Sequence, residues 1–151
     1  MEKIKIHTII EIAGSPKEHV ESTINKMMDI MKENKNLNIL KKEIAKAEKI
    51  DLPAEIKNAQ NVDVFSAFAE LEIEMPSLEE IMGFCYTFMP SSLEIMEPES
   101  VTMNQKDLEN SLNDLLGKLH DQAKIIMEYQ TLKQQIIQAR QKRANEPTEK
   151  Q

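Results

Sequence analysis

The sequence predicts an α+β domain that is followed by a long C-terminal helix. Apolar residues alternate at period two in two separate runs, and each run leads into a helix start and an apolar stripe at helical spacing. These observations predict strands that precede amphipathic helices. Residues 104–143 contain no proline and one glycine, Gly117, which costs a helix about 1 kcal/mol relative to alanine. Residues 104–143 are therefore predicted to form the long helix.

The first strand is predicted at residues 4–12 and the first helix at residues 16–34. The inward residues of the strand are Ile4, Ile6, Thr8, Ile10 and Ile12. Ser15 is expected to cap the helix, with Pro16 at the first helical position and Glu18 completing a capping box. The apolar stripe of the helix consists of Val20, Ile24, Met27, Met28 and Met31.

Two further strands are predicted after this helix. Residues 37–47 form the second, and a proline-containing connection runs from there through residue 62. The third is VFSAFAELEIEM, residues 64–75, whose buried face consists of Phe65, Ala67, Ala69, Leu71, Ile73 and Met75. Phe68 and the three glutamates Glu70, Glu72 and Glu74 share its other face, which is therefore expected to be largely solvated.

A second helix and a fourth strand complete the predicted domain. Pro76 ends the third strand, Ser77 and Glu80 form a second capping box, and the helix ends before Pro90. Its apolar stripe consists of Leu78, Ile81, Met82, Cys85 and Met89. Residues 91–99 form the last strand, with Leu93 and Ile95 inward. This order predicts a ferredoxin-like βαββαβ sandwich, in which two helices cover one face of an antiparallel sheet.

The third helix is about 60 Å long at 1.5 Å per residue. Its apolar stripe continues in one register through Leu108, Leu112, Leu115, Leu119, Gln122, Ile126, Tyr129, Lys133 and Ile136. The four leucines are expected to dock on the domain, and the second half is expected to project as a coiled coil. The predicted organisation is a domain at residues 1–100, the helix at 101–143 and a disordered tail at 144–151.

Composition excludes several classes of function. The net charge of -7, with 26 acidic against 19 basic residues, disfavours nucleic-acid binding. Cys85 is the single cysteine and cannot form an intrachain disulfide, and the N-terminus lacks a secretory signal pattern. No apolar run approaches the roughly 20 residues that span a bilayer. These features predict a cytoplasmic protein without membrane contact.

The junction between the first strand and the first helix is the candidate ligand site. Gly14 and Ser15 lie beside a helix N-terminus, whose free N–H groups favour an anion or a carboxylate. Lys17 and His19 follow in the first turn and are able to assist. The favoured interpretation is nevertheless structural, with Gly14 allowing the turn and Ser15 capping the helix.

The sequence contains no catalytic or metal-binding constellation. His7, His19 and His120 are isolated, and Cys85 lacks a neighbouring ligand and lies on the buried stripe. We therefore expect no enzyme activity, no metal and no cofactor. Phe68, on the otherwise polar sheet face, and Ile126, Tyr129 and Ile136 of the long helix are the candidate partner-binding residues.

The predicted function is that of a non-catalytic interaction or scaffold protein, a homodimer or bound to a protein partner, acting through its sheet face and long helix. The alternative is an amino-acid-like small-molecule sensing domain that uses the turn from Gly14 to His19.

Four segments carry a resemblance to a known family. GSPKEHVE (14–21), FSAFAELEIE (65–74), GFCYTFMPSSLEIMEPE (83–99) and LNDLLGKLHD (112–121) together resemble a family of small uncharacterised archaeal proteins. The resemblance implies a cytoplasmic ferredoxin-like protein. In topology, the glycine after the first strand is also similar to that of ACT-type amino-acid-binding domains. Those domains often carry Arg-Pro-Gly after an acidic or polar residue there, whereas this chain has Ser-Pro-Lys-Glu.

Overall fold

The computed structural model describes residues 3–51 and 62–145. The described strands are β1 (Ile4–Gly14), β2 (Asn38–Ile44), β3 (Glu48–Ile50), β4 (Val64–Met75) and β5 (Ser92–Glu97). The described helices are α1 (Lys17–Glu33), α2 (Leu78–Phe88) and α3 (Gln105–Asn145). The chain divides into two compact units, Met1–Leu108 and Glu109–Gln151. The first unit holds the sheet with α1 and α2, and the second holds most of α3.

The first unit is built on one antiparallel sheet in the strand order β2-β4-β1-β5, with β3 also pairing β4. The register of β1 on β4 runs from Ile4 opposite Met75 to Gly14 opposite Phe65. The prediction of an α+β protein with an antiparallel sheet and a long C-terminal helix is therefore confirmed.

Strand β3 lies inside the segment that the sequence predicted to be a connection. It pairs with the first residues of β4, from Glu48 opposite Ser66 to Ile50 opposite Val64. Strand β4 is 12 residues long and β2 only 7, so the start of β4 is left for another segment to pair. Residues 52–61 of the predicted connection lie outside the described residues.

The core of the first unit lies between the sheet and helices α1 and α2. Alternate residues of β1 and β4 are buried, as predicted, together with Val20, Ile24, Met28 and Met31 of α1. Thr8 is polar but fully buried, and its hydroxyl donates to the carbonyl oxygen of Ser92 at 2.8 Å. A buried hydroxyl with a partner avoids the penalty of an unsatisfied polar group.

The predicted capping role of Ser15 is wrong. Helix α1 begins one residue later than predicted, its N-cap is Pro16, and no side chain caps it. The carbonyl oxygen of Pro16 accepts from the N–H groups of His19 and Val20. Proline therefore takes the N-cap position itself, which leaves Ser15 outside the helix.

The prediction for Ser77 is confirmed in its main part. Its hydroxyl accepts from the N–H of Glu80 at 3.2 Å. The Glu80 carboxylate accepts from the side-chain amide of Asn36 at 2.9 Å.

The prediction that Met89 and Ile95 lie in the core is wrong, because both side chains are exposed. Met89 is 67% exposed, because it ends α2 in the left-handed conformation with φ of 47° and its N–H donates to the Cys85 carbonyl. Phe84, which the predicted stripe omits, is buried in α2. Ile95 of β5 is 40% exposed, while Leu93 of the same strand packs against the core as predicted.

Helix α3 is continuous, as predicted, and begins beside Asn104, whose side-chain oxygen accepts from the N–H of Asp107 at 2.9 Å. It runs to Asn145, so the tail predicted for residues 144–151 is wrong at its first two positions. Residues 146–151 lie outside the described residues. The docking of the four leucines stays a prediction.

Candidate interaction surfaces

The turn from Gly14 to His19 is the candidate ligand site from the sequence. Gly14 has no positive φ, and a Cβ added there would lie 3.5 Å from the Val20 side chain, an ordinary contact. The turn therefore does not require glycine, contrary to the interpretation from the sequence. Ser15 and His19 are exposed, whereas Gly14 and Lys17 are partly buried. None of these four residues lines any of three cavities that lie in the described part of the chain.

The outer face of the sheet carries a ladder of paired polar and charged side chains between β1 and β4, here called the charge ladder. Lys5 Nζ lies 3.4 Å from a carboxylate oxygen of Glu72, and His7 Nε2 lies 2.8 Å from Glu70. Because Lys5 stands opposite Glu74 and His7 opposite Glu72, these contacts are diagonal. The glutamates therefore face nitrogen groups across the strands, an arrangement that stabilises a sheet by up to about 1 kcal/mol per pair.

The ladder continues at the start of β1. Lys3 Nζ donates to Glu74 at 3.2 Å, and the Asn38 side-chain amide donates to the same carboxylate at 3.3 Å. The hydrogen bond from Lys3, followed by that from Asn38, lowers the pKa of Glu74 below its ordinary value. The Glu74 carboxylate is thus held in its charged form.

Phe68 interrupts this polar face, as the sequence predicted. Its side chain is 45% exposed, and its cross-strand neighbour on β1 is Glu11. The Glu11 carboxylate accepts from the Ser66 hydroxyl at 2.6 Å. Phe68 therefore presents an aromatic surface beside the charge ladder.

A cavity of about 300 Å³ lies where the end of α1 meets α2. Its apolar lining includes Ile30, Leu37 and Phe84, and the Asn36–Glu80 hydrogen bond supplies polar lining atoms. The sequence pattern does not predict this cavity, because its lining comes from segments that are far apart in the chain.

Helix α3 presents apolar side chains at four of its seven heptad positions. With Leu112 at position a, the predicted stripe occupies a and d. From Leu112 to Ala139, position e carries Leu116, Ala123 and Ile137 with one polar residue, Gln130, and position g carries Ile125, Leu132 and Ala139 with one polar residue, Lys118. Positions b, c and f are polar apart from Met127 and Gly117. The predicted stripe omits these e and g residues, although their seven-residue spacing is visible in the sequence.

The predicted partner residues of α3 lie on this wide apolar face. Tyr129 is 65% exposed, and Ile126 and Ile136 are also exposed. Among the described residues of the second unit, none covers this face. Apolar side chains repeated on one helical face are more stable when they are buried.

Groups that support chemistry are sparse in the described residues. No cluster of three or more His, Cys, Asp or Glu side chains there is arranged to hold a metal ion. Cys85 is a free, partly buried thiol, and burial raises its pKa above the ordinary value, which disfavours the reactive thiolate. None of the described helices combines the length and apolarity that a membrane span needs.

Comparison with known proteins identifies the relatives of this chain. "Uncharacterized protein MJ0538" of Methanocaldococcus jannaschii is 25% identical over 114 residues, which cover 76% of this chain and 38% of that relative. The chain thus spans about two fifths of the length of the curated relative it matches. No solved structure matches the chain. The relative confirms the resemblance to an uncharacterised archaeal family. Because the family's sequence model matches residues 5–146, nearly the whole chain, the protein belongs to the MJ0538 family.

Proposed function

We propose that this protein is a non-catalytic interaction protein that binds its partner through the apolar face of α3, with the outer sheet face as a second contact surface. The observation that carries the proposal is the run of exposed apolar side chains at positions a, d, e and g of α3. A strict a and d stripe suits a two-helix coiled coil, whereas a wider face suits a helix covered by more than one neighbour.

The charge ladder supports the second contact surface. Its carboxylates already face lysine or histidine, so they are poorly placed to act together as an acid and base pair. The aromatic ring of Phe68 beside the ladder supplies an apolar anchor for a partner. We place the protein in the cytoplasm, on the support of its single, partly buried cysteine.

We propose further that β2 and β3 act as one bent edge strand, which makes the first unit ferredoxin-like. Both strands pair β4 in antiparallel orientation, β2 ending with Ile44 opposite Ala69 and β3 beginning with Glu48 opposite Ser66. Between them the N–H of Ala45 donates to the Phe68 carbonyl at 2.9 Å. Counting them as one strand gives the βαββαβ order and the topology shared with ACT-type domains.

The test replaces the apolar face of α3 and compares it with a matched change on the polar face. We expect the face variant to lose association, and the control to keep it, in sedimentation velocity and in affinity capture from extracts of the native host. Both variants place serine at three helical positions, and the control loses at least as much helix propensity as the face variant, because lysine and glutamine are better helix formers than isoleucine and tyrosine. The face variant is I126S/Y129S/I136S, and the control is K124S/T131S/Q138S.

Three outcomes contradict the proposal. The wild-type chain stays monomeric and captures no protein, the face variant associates as the wild type does, or both variants lose association equally. Thermal unfolding of the first unit, followed in both variants, checks that the sheet is unaffected.

The second candidate function is small-molecule sensing at the turn from Gly14 to His19. The observation that favours it is the absence of a side-chain cap on α1, which leaves first-turn N–H groups for an anion. A ligand at 100 times its dissociation constant stabilises a protein by about 2.7 kcal/mol. A thermal-shift screen of amino acids and nucleotides therefore tests this candidate, and an unchanged melting temperature with every compound rejects it.

A further inference from the structure

We propose that the cavity between the end of α1 and α2 binds a small organic cation, a protonated primary amine that carries an aromatic or branched aliphatic group. The cavity lies within the first unit, and its lining residues fall between Ile30 and Phe88. The proposal is therefore independent of the apolar face of α3. It depends on the charge of the cavity, on its apolar wall and on the open space beside Gly83.

The charge of the cavity is negative. Of the described residues that line it, Glu80 alone is charged. The Glu80 Oε1 atom accepts from the Asn36 side-chain amide at 2.9 Å, and no described residue forms an ion pair with this carboxylate. A carboxylate has about four acceptor positions. One amide donor therefore leaves most of them for the ammonium group of a ligand.

The end of α1 adds to this negative potential. Ile30 lies in the last turn of α1, Asn34 is its C-cap, and both line the cavity. The C-terminus of a helix carries a partial negative charge, which favours a cation close to the last turn. Lys32 and Lys35 are near in the chain, but neither lines the cavity, and Lys32 Nζ lies 3.1 Å from Asp29. The cavity therefore favours a cationic ligand over an anionic one.

The buried part of the lining is apolar. Leu37, Met75 and Phe84 are each more than nine-tenths buried, and Phe88 lies beside them. The ring centroids of Phe84 and Phe88 are 5.0 Å apart. The volume of about 300 Å³ is about twice that of an apolar cavity that binds benzene. The cavity therefore has room for one aromatic ring and a short chain that ends in an ammonium group.

Gly83 leaves space for the ligand. It lies on the same face of α2 as Glu80, Phe84 and Thr87, at spacings of three and four residues. Its φ is not positive, and a Cβ added there would have no described atom within 4 Å. Neither the backbone conformation nor the packing therefore requires glycine at this position. A larger side chain there would extend into the space that the ligand needs.

Binding of phenethylamine tests the proposal, with 2-phenylethanol as a neutral compound of similar shape. Both are titrated into the isotope-labelled full chain and followed by the amide NMR signals, in which the three glycines are readily separated. We expect saturable shifts at Gly83 and Leu37 and a dissociation constant of about 1 mM for the amine. The alcohol should bind about tenfold more weakly, because a hydrogen bond to a charged group is stronger than a neutral one.

Two pairs of variants locate the site. Glu80→Gln keeps the shape of the side chain and removes its charge, so the amine should lose its tenfold preference over the alcohol. The control Glu79→Gln removes an exposed charge from the same turn and should keep that preference. Gly83→Leu should weaken the binding of both compounds about tenfold or more by filling the cavity, whereas Gly117→Leu in α3 should not. Leucine is a better helix former than glycine, so neither glycine variant should lower the melting temperature.

Four outcomes overturn the proposal. The amine at about 10 mM shifts no signal near the cavity, or the alcohol binds the wild-type chain as tightly as the amine does. Alternatively, Glu79→Gln loses the preference as completely as Glu80→Gln does, which shows an effect of net charge alone. Lastly, Gly83→Leu binds both compounds as the wild type does, which places their binding outside this cavity.

Discussion

Replacing Leu71 by alanine tests the register of β4, on which the assignment of both sheet faces depends. Leu71 is 1% exposed and stands opposite the buried Thr8 of β1. The substitution removes three carbon atoms from the core, and at about 0.8 kcal/mol per buried carbon group the transfer term alone is about 2.4 kcal/mol. The cavity left behind raises the expected loss of unfolding free energy to about 3 to 4 kcal/mol.

Urea unfolding, followed by circular dichroism, measures this loss. With an m-value of about 1.5 kcal/mol per molar urea, the unfolding midpoint falls by about 2 M or more. The matched control is Glu72→Ala on the next residue of β4, whose carboxylate lies 3.4 Å from Lys5 Nζ on the outer face. Because that pair is partly solvated, the control is expected to lose less than about 1 kcal/mol.

The ranking of the two variants decides the outcome. A slip of one residue would turn every side chain of the strand to the other face. If Glu72→Ala were the more destabilising variant, or if the two were equal, the described register would be wrong, and so would the charge ladder.

Three further predictions follow from single contacts. Ser77→Ala should lower the unfolding free energy by about 1 kcal/mol through loss of the α2 cap, whereas Ser15→Ala should be nearly silent; equal melting temperatures for the two variants would contradict this. Lys3→Met should raise the pKa of Glu74 toward its ordinary value in an NMR titration, since the hydrogen bond from Lys3 is the largest cause of its lowering. A lowered carboxyl pKa contributes stability above the unfolded-state pKa that is lost as pH falls through the folded-state pKa, so the stability difference between wild type and variant should be present at neutral pH and disappear in acid. Gly117→Ala should increase helix content and stability by up to about 1 kcal/mol, because no atom lies within 4 Å of the added Cβ; a loss of stability would show that a neighbour contacts this position.

Local signals predicted the fold where they agreed with one another. The bounds of β4 were predicted without error because strict alternation ends at Pro76, which cannot donate to the sheet. Strand β3 was not predicted because its three residues, EKI, are too few to show a period. It forms a strand by pairing with the first residues of β4, which β2 does not reach. Ser15 was assigned wrongly because the same Ser-Pro motif permits either residue to occupy the cap.

The candidate surfaces were predictable to a smaller degree. The a and d stripe of α3 and the exposure of Phe68 follow from periodicity alone. The cavity beside Glu80 does not, since Asn36 and Glu80 meet only through the packing of α1 against the sheet. Predicting the charge ladder would have required the register of β1 on β4. Its pairs are diagonal, and a sequence pattern does not reveal which glutamate contacts which lysine or histidine.

The edges of the sheet limit how the protein aggregates. Strand β2 carries Lys41, Lys42 and Glu43 at the edge of the sheet that the described residues form, and it has a register shift between Ile39 and Lys41. Charged side chains and a bulge on an edge strand obstruct the addition of a strand from another molecule. The edge strand therefore hinders copies of the chain in concentrated solution from joining their sheets edge to edge, which a flat, apolar edge strand would allow.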